Sequence, residues 1–186
     1  MTSNTSRSSE SADSAARGVK AELEGRLQFE TLLADLSANF INVPASEVNS
    51  HIQDAQRRVC ECLGLNTSVV WEWEIGDPET PVLISLYRPL GGPPVPERMN
   101  ANTYFPWGVR QAAAGKISIV SSLNDIPEEA TIDLQTHRYF GVKAALVIPL
   151  SAGGGPPFGA LSFSDLLSER VWPEPLIKRL ELGQAR

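Results

Sequence analysis

Residues 141–165, GVKAALVIPLSAGGGPPFGALSFSD, constrain the fold more than any other stretch. Two strand-like runs, AALVIPL and FGALSFS, flank a glycine- and proline-rich connection. A phosphate-binding loop would follow its glycines with Gly-Lys-Ser/Thr at the start of a helix. Here Gly153-Gly154-Gly155 runs into Pro156-Pro157, which have no N–H to offer a phosphate, and a second strand follows at once. The dinucleotide pattern G-x-G-x-x-G fails for the same reason. The connection is therefore a turn, with glycines that tolerate positive φ, inside a β-hairpin. The first run is apolar on both alternating faces, which predicts a sheet covered on both sides.

The remaining segments supply the cover. Phe29, Leu33, Leu36, Phe40 and Val43 recur at helical spacing, widened by Leu23, Leu27 and Leu32, and predict a helix over 19–43 that stops at Pro44. A second helix is predicted over 46–63, with Val48, Ile52, Ala55, Val59 and Leu63 on its stripe and Gly64 as C-cap. On that stripe Cys62 falls near the buried side and Cys60 on the flank. SVVWEWEI (68–75) and PVLISLYR (81–88) read as antiparallel strands about a Gly76-Asp77-Pro78 turn. Residues 89–103 have no periodicity and form a long loop, a feature often tied to function. A short helix over 105–114, a strand over 117–121 and a helix over 128–139 follow. Strands over 144–150 and 158–164 make the hairpin, and a closing helix begins near Pro173 with Leu176, Ile177 and Leu180. The expectation is a disordered serine-rich leader over 1–18 and a single domain over 19–186, of α+β class around a largely antiparallel sheet.

A chain of 186 residues with 42% hydrophobic residues buries a full core without disulfides, and its two cysteines make no secreted framework. A formal net charge of −6 gives no footprint for nucleic acid. No apolar run reaches membrane-spanning length and the leader has no signal-peptide core, so the expected setting is cytoplasmic.

In this order the motifs resemble those of GAF domains, the small-molecule sensing modules of signalling proteins. GVKAALVIPL is similar to the family's penultimate strand, a glycine and a basic residue before a hydrophobic run ending in Pro-Leu. FGALSFSD is similar to the GxLxLxS strand after it, and RVWPEPLIKRL to the start of the closing helix. LQFETLLADLSANF and IQDAQRRVCECLG resemble the paired N-terminal helices. FPW at Phe105–Trp107 recurs in GAF modules that accompany bacterial sensor histidine kinases. The resemblance covers about 27–182. It implies a central antiparallel sheet of five to six strands, with N- and C-terminal helices on one face and loops and short helices roofing a cavity on the other.

Family members bind cyclic nucleotides, bilins, haem, small metabolites or no known ligand. The cyclic-nucleotide signature N-K-…-F-x-x-x-D-E is absent from this sequence. Bilin attachment needs a cysteine in a suitable loop, whereas Cys60 and Cys62 fall on a predicted helix. Cysteine-based sulfoxide reduction on this fold is disfavoured on the same ground. No cofactor is expected.

The long loop and the helix after it gather Tyr104, Phe105 and Trp107, with Arg110 one turn on, a combination that suits an apolar pocket with orienting contacts. The alternative is that these rings simply cap the sheet. Trp71 and Trp73 share a strand face, which turns either to the helices or to the cavity, and Tyr87 has the same ambiguity. His137 adds a neutral donor and Tyr139 a further ring. Asp125, Glu128, Glu129 and Asp133 read as helix-start, solvent-facing carboxylates. Ser162 and Ser164 lie on a strand without the strained elbow of a nucleophile. No catalytic or metal-binding constellation emerges.

The expected function is a non-catalytic regulatory GAF protein of bacterial two-component-type signalling. It binds an unknown small molecule, acts on a histidine kinase or regulator in trans, and forms a homodimer through its first and last helices. The alternatives are a structural dimerisation module with a filled pocket, and a fragment of a sensor kinase that lacks its catalytic core.

Overall fold

The alternating segments assemble into one five-stranded antiparallel sheet. In this computed structural model, which describes residues 4–40, 43–172, Glu174 and Ile177, the strands are β1 (Thr67–Glu74), β2 (Asp77–Tyr87), β3 (Ser118–Val120), β4 (Ala144–Leu150) and β5 (Gly159–Asp165). Their order is β2-β1-β5-β4-β3. The helices are α1 (Asn4–Phe40), α2 (Val48–Leu63), α3 (Ala101–Tyr104), α4 (Pro106–Ala113) and α5 (Thr131–Phe140). The chain divides into two compact units at Pro44/Ala45.

The first unit is built on α1. The serine-rich leader that sequence predicts to be disordered is helical from Asn4. It holds no proline, and its single glycine is Gly18, so nothing stops a helix from growing upstream; each added residue gains a hydrogen bond without a new nucleation cost. Val19, Leu23 and Leu27 are exposed, and Phe29, Leu33 and Leu36 half-buried. The division falls at the proline that ends the helical pattern.

In the second unit the glycine–proline connection is the predicted turn. Gly153 and Gly154 take positive φ, and the Phe158 amide donates to the Leu150 carbonyl (2.9 Å) to close the hairpin. β4 occupies the predicted residues. β2 begins at Asp77 rather than Pro81, because the β1–β2 turn tightens to Ile75-Gly76, with Gly76 at φ 92°. α5 begins at Thr131 rather than Glu128, after a turn in which the Ala130 amide donates to the Pro127 carbonyl (2.9 Å).

α2 packs on β1 and β2. The buried Gln56 amide donates to Ser68 Oγ (3.0 Å) and its carbonyl accepts from Ser85 Oγ, so both strands are tied to the helix with every polar atom of that trio partnered. The helical phase corrects the cysteine assignment. Cys60 lies fully buried beside Val59 and Gln56, and Cys62 is exposed. Burial, helped by Glu61, pushes the Cys60 thiol up to about 12.

The chain leaving β5 is stitched down by a charged clip. The buried Asp165 carboxylate accepts from the Leu167 and Ser168 amides (2.9 and 3.1 Å), from Ser168 Oγ (3.1 Å) and from the Arg170 guanidinium (3.3 Å). Arg170 also donates to the Leu63 and Gly64 carbonyls (2.7 and 2.9 Å), capping the end of α2. Its own amide donates to the Ser121 carbonyl (3.0 Å), and Trp172 Nε1 reaches the Val120 carbonyl (3.3 Å). The closing helix predicted from Pro173, with Leu176, Ile177 and Leu180, lies outside the described residues apart from Glu174 and Ile177.

Burial raises the Asp165 pKa, but the three hydrogen bonds from Leu167 and Ser168 and the Arg170 charge outweigh it and hold the carboxyl below its ordinary value. A depressed carboxyl pKa adds stability above the unfolded value of about 4 and loses it as pH falls through the folded value. Arg170→Ala is expected to cost about 2–4 kcal/mol at neutral pH by leaving that buried charge and the end of α2 unsatisfied. In urea titrations the gap between wild type and Asp165→Asn should narrow steadily below about pH 4. A gap independent of pH would show that the carboxylate is not the source of the stability.

Candidate functional site

Strand register sets out one face of the sheet in rows. Val69, Ser162 and Val147 are successive Cα neighbours across β1, β5 and β4, and Thr67, Ser164 and Ala145 form the next row. Val69, Ser162 and Val147 sit in the middle of the sheet and are nonetheless only half-buried. Central residues keep exposed surface only where the layer above them leaves space. That space is a cavity of about 150 Å³. Trp71 and Trp73 alternate in phase with Val69 and line it, which decides the orientation that sequence leaves open.

The roof is α3, α4 and α5 with the loop before them. Asn100 Oδ1 accepts from the Thr103 amide (3.2 Å) and starts α3. α4 starts with Pro106 at its first position, which leaves the amides of Trp107 and Gly108 in need of acceptors. Asp133 of α5 supplies both. Its Oδ2 accepts from Trp107 N (3.1 Å) and its Oδ1 from Gly108 N (2.8 Å). A buried anion at a helix N-terminus is favoured by the helix dipole. The approach also explains the glycine, since a Cβ at Gly108 would come within 3.2 Å of Asp133 Oδ1. A second tie runs from Thr136 Oγ1 to the Tyr104 carbonyl. Asp133, expected to face solvent, is 2% exposed and fastens α4 to α5.

Of the residues singled out by sequence, Trp73, Phe105, Trp107 and His137 line the cavity. The Trp73 indole N–H donates to the Pro157 carbonyl (3.1 Å), which fixes the ring beside Ala112 and Ala160. Trp107 packs into the cluster of Val120, Ile126 and Val142. Four candidates lie elsewhere. Tyr87 pairs with Ser68, whose side chain faces α2, so it belongs to the opposite face. Tyr104 gives the roof its carbonyl and turns its ring towards Phe140 (6.4 Å between centroids). Arg110 is exposed, because Val109 and Ala112 take the inward side of α4. Tyr139, two positions past His137 and so on the far side of α5, is 57% exposed.

His137 Nδ1 lies 2.7 Å from the Asp133 carbonyl, which can only accept, so Nδ1 carries the proton and Nε2 holds a free lone pair. Phe105 meets the imidazole edge-on at 5.2 Å. Burial lowers the His137 pKa; the hydrogen bond to Asp133 and that residue's charge pull the other way without overcoming it. The ring is therefore neutral at pH 7.

Sequence reasoning missed two further residues. Thr67 is among the residues that line the cavity, and its Oγ1 is buried without a hydrogen-bond partner among the described residues. Arg88 also lines it, but its guanidinium turns to the Pro93 carbonyl (2.7 Å). Nothing in the local sequence marks Thr67, since its significance comes from what is not placed opposite it. Among the described residues no three His, Cys, Asp or Glu side chains gather to hold a metal, and neither cysteine lines the cavity. No helix among them is long and apolar enough to cross a membrane.

Solved structures share this arrangement. The phycoerythrobilin-bound GAF domain of a cyanobacterial phytochrome superposes with a TM-score of 0.66 at 12% identity, over 86% of this chain and 92% of that one. This is a GAF fold. The phycocyanobilin-bound GAF domain of a cyanobacterial phytochrome gives 0.64 at 13% identity, over 83% and 90%. The blue-light-absorbing form of the Thermosynechococcus elongatus PixJ GAF domain gives 0.56 at 19%, over 75% and 83%. No family model and no curated protein matches the sequence. The likeness is one of GAF architecture, with five antiparallel strands and the roofed face as the resemblance implies.

Proposed function

We propose that this chain is a non-catalytic sensory GAF domain that binds a small molecule between its sheet and its α3–α5 roof. The observation that carries the reading is the cavity itself, walled by tryptophan and aliphatic side chains and lying under a roof fastened at Asp133. Its polar groups support binding rather than turnover. The Asp133 oxygens are taken by backbone amides, and His137 Nδ1 is taken by the Asp133 carbonyl. The two cyanobacterial phytochrome GAF domains carry bilins, but here both cysteines sit on α2 and neither lines this cavity to form a thioether.

In the wider reading the protein is cytoplasmic and serves two-component-type signalling, acting on a kinase or regulator in trans. The ligand shifts the balance between two arrangements of roof and helices, and a homodimer paired through the exposed Val19, Leu23 and Leu27 of α1 relays the change.

A thermal-shift screen against metabolites and cofactors tests the binding claim. A ligand at a hundred times its Kd adds about 2.7 kcal/mol, a shift of about 5–10 °C for a chain this size. Ser162→Leu projects into the cavity from its floor. It is expected to leave unliganded stability within about 1 kcal/mol and to abolish the ligand-induced shift. If Ser162→Leu instead unfolds the protein, the space is already packed and the structural dimerisation module is the better account.

A further inference from the structure

We infer that the cavity ligand is a compact aromatic molecule without positive charge, bearing an N–H or O–H and held by His137 Nε2 and Thr67 Oγ1. The inference rests on the sensory reading and specifies its ligand class. Size comes first. A cavity of about 150 Å³ with apolar walls accommodates a guest of about six to ten non-hydrogen atoms, a single or fused ring. A linear tetrapyrrole is several times larger.

Charge comes second. Of the two charged groups on the lining, Asp133 has its oxygens taken by two backbone amides, whereas Arg88 gives an N–H to the Pro93 carbonyl (2.7 Å) and its positive charge meets no carboxylate in a salt bridge among the described residues. A cationic ligand entering this space would lose its water and meet no free counter-charge, a penalty that apolar contacts do not offset. Flat rings, by contrast, meet Trp71, Trp73 and Phe105.

Polarity comes third. Thr67 is 7% exposed and its Oγ1 has no partner among the described residues, an arrangement native proteins rarely leave unresolved. Nε2 of His137 is likewise without a donor among the described residues, because the proton sits on Nδ1 against the Asp133 carbonyl. One group is a pure acceptor and the other a hydroxyl, so a purely hydrocarbon guest would leave both unsatisfied. A ring with a donor answers the acceptor.

The test uses the whole chain, with indole and phenol as donor-bearing probes and benzofuran as a donor-free isostere of indole. Benzylamine and biliverdin represent cations and tetrapyrroles. The expected result is saturable binding of indole or phenol, with benzofuran weaker by about tenfold. The ¹⁵N signal of His137 Nε2 should move with indole and stay still with benzofuran. His137→Phe and Thr67→Val should each weaken the donor-bearing probes by about tenfold while leaving benzofuran unchanged, and the benzofuran result shows that the variants are folded. Binding of benzylamine or biliverdin in preference to indole and phenol overturns this ligand class and leaves the sensory reading standing. Binding by no probe of any class, with an unshifted melting temperature throughout, overturns both.

Discussion

Gly159→Ala is expected to destabilise the second unit by about 3 kcal/mol, which lowers the melting temperature by about 6–12 °C. Gly159 opens β5 and pairs with Glu72 across β1. A Cβ built there is driven into the Trp71 carbonyl oxygen and also approaches the Glu72 Cα at 3.5 Å. Both are main-chain atoms of a paired central strand, so neither can rotate aside as a side chain would. The strands must separate, and they separate where Trp71 and Ala160 form the floor of the cavity. Gly25→Ala is the matched control. Nothing lies within 4 Å of a Cβ there, and replacing a helical glycine stabilises α1 by about 1 kcal/mol. Urea titration of the two variants measures the contrast. A Gly159→Ala protein as stable as wild type would mean that β1 and β5 are not held at this spacing.

The second large effect belongs to Asp133. Asp133→Ala removes the acceptor for two amides and leaves Trp107 N and Gly108 N without partners at the start of α4, at a cost of about 3–4 kcal/mol. The loss should be uneven. Hydrogen exchange at the Trp107 and Gly108 amides is expected to accelerate far more than exchange in β4 and β5, since the roof opens while the sheet persists. Guest binding should disappear with it. Asp133→Asn keeps one accepting oxygen and turns an NH₂ against the other amide, so its effect should lie between wild type and alanine. Equal acceleration across sheet and roof in Asp133→Ala would contradict the view that this side chain acts as a local fastener.

What could be read from the sequence follows from the range of the interactions involved. The β4–β5 hairpin was legible because strand alternation and the Gly153–Pro157 turn are local signals, and β4 falls on the expected residues. The common face of Trp71 and Trp73 was legible too, but its direction was not, because period-two alternation is blind to which side the helices take. Asp133 was misread as solvent-facing because its partners lie 25 and 26 residues away. Proximity to a helix start describes an acidic residue equally well when it caps its own helix and when it caps another. Tyr104, Arg110 and Tyr139 were drawn in by adjacency to Phe105, Trp107 and His137, whereas a helix turns adjacent side chains to different sides.

The most direct test of the account is methyl NMR of the whole chain under xenon pressure, because xenon enters apolar cavities without needing a specific partner. The account predicts saturable shifts at the methyl groups of Val69, Val147 and Met99, which border the cavity, and none at Val70 or Leu146 on the opposite face. Shifts confined to the α2 face, or no response at the lining methyls, would contradict a guest-sized space beneath the α3–α5 roof.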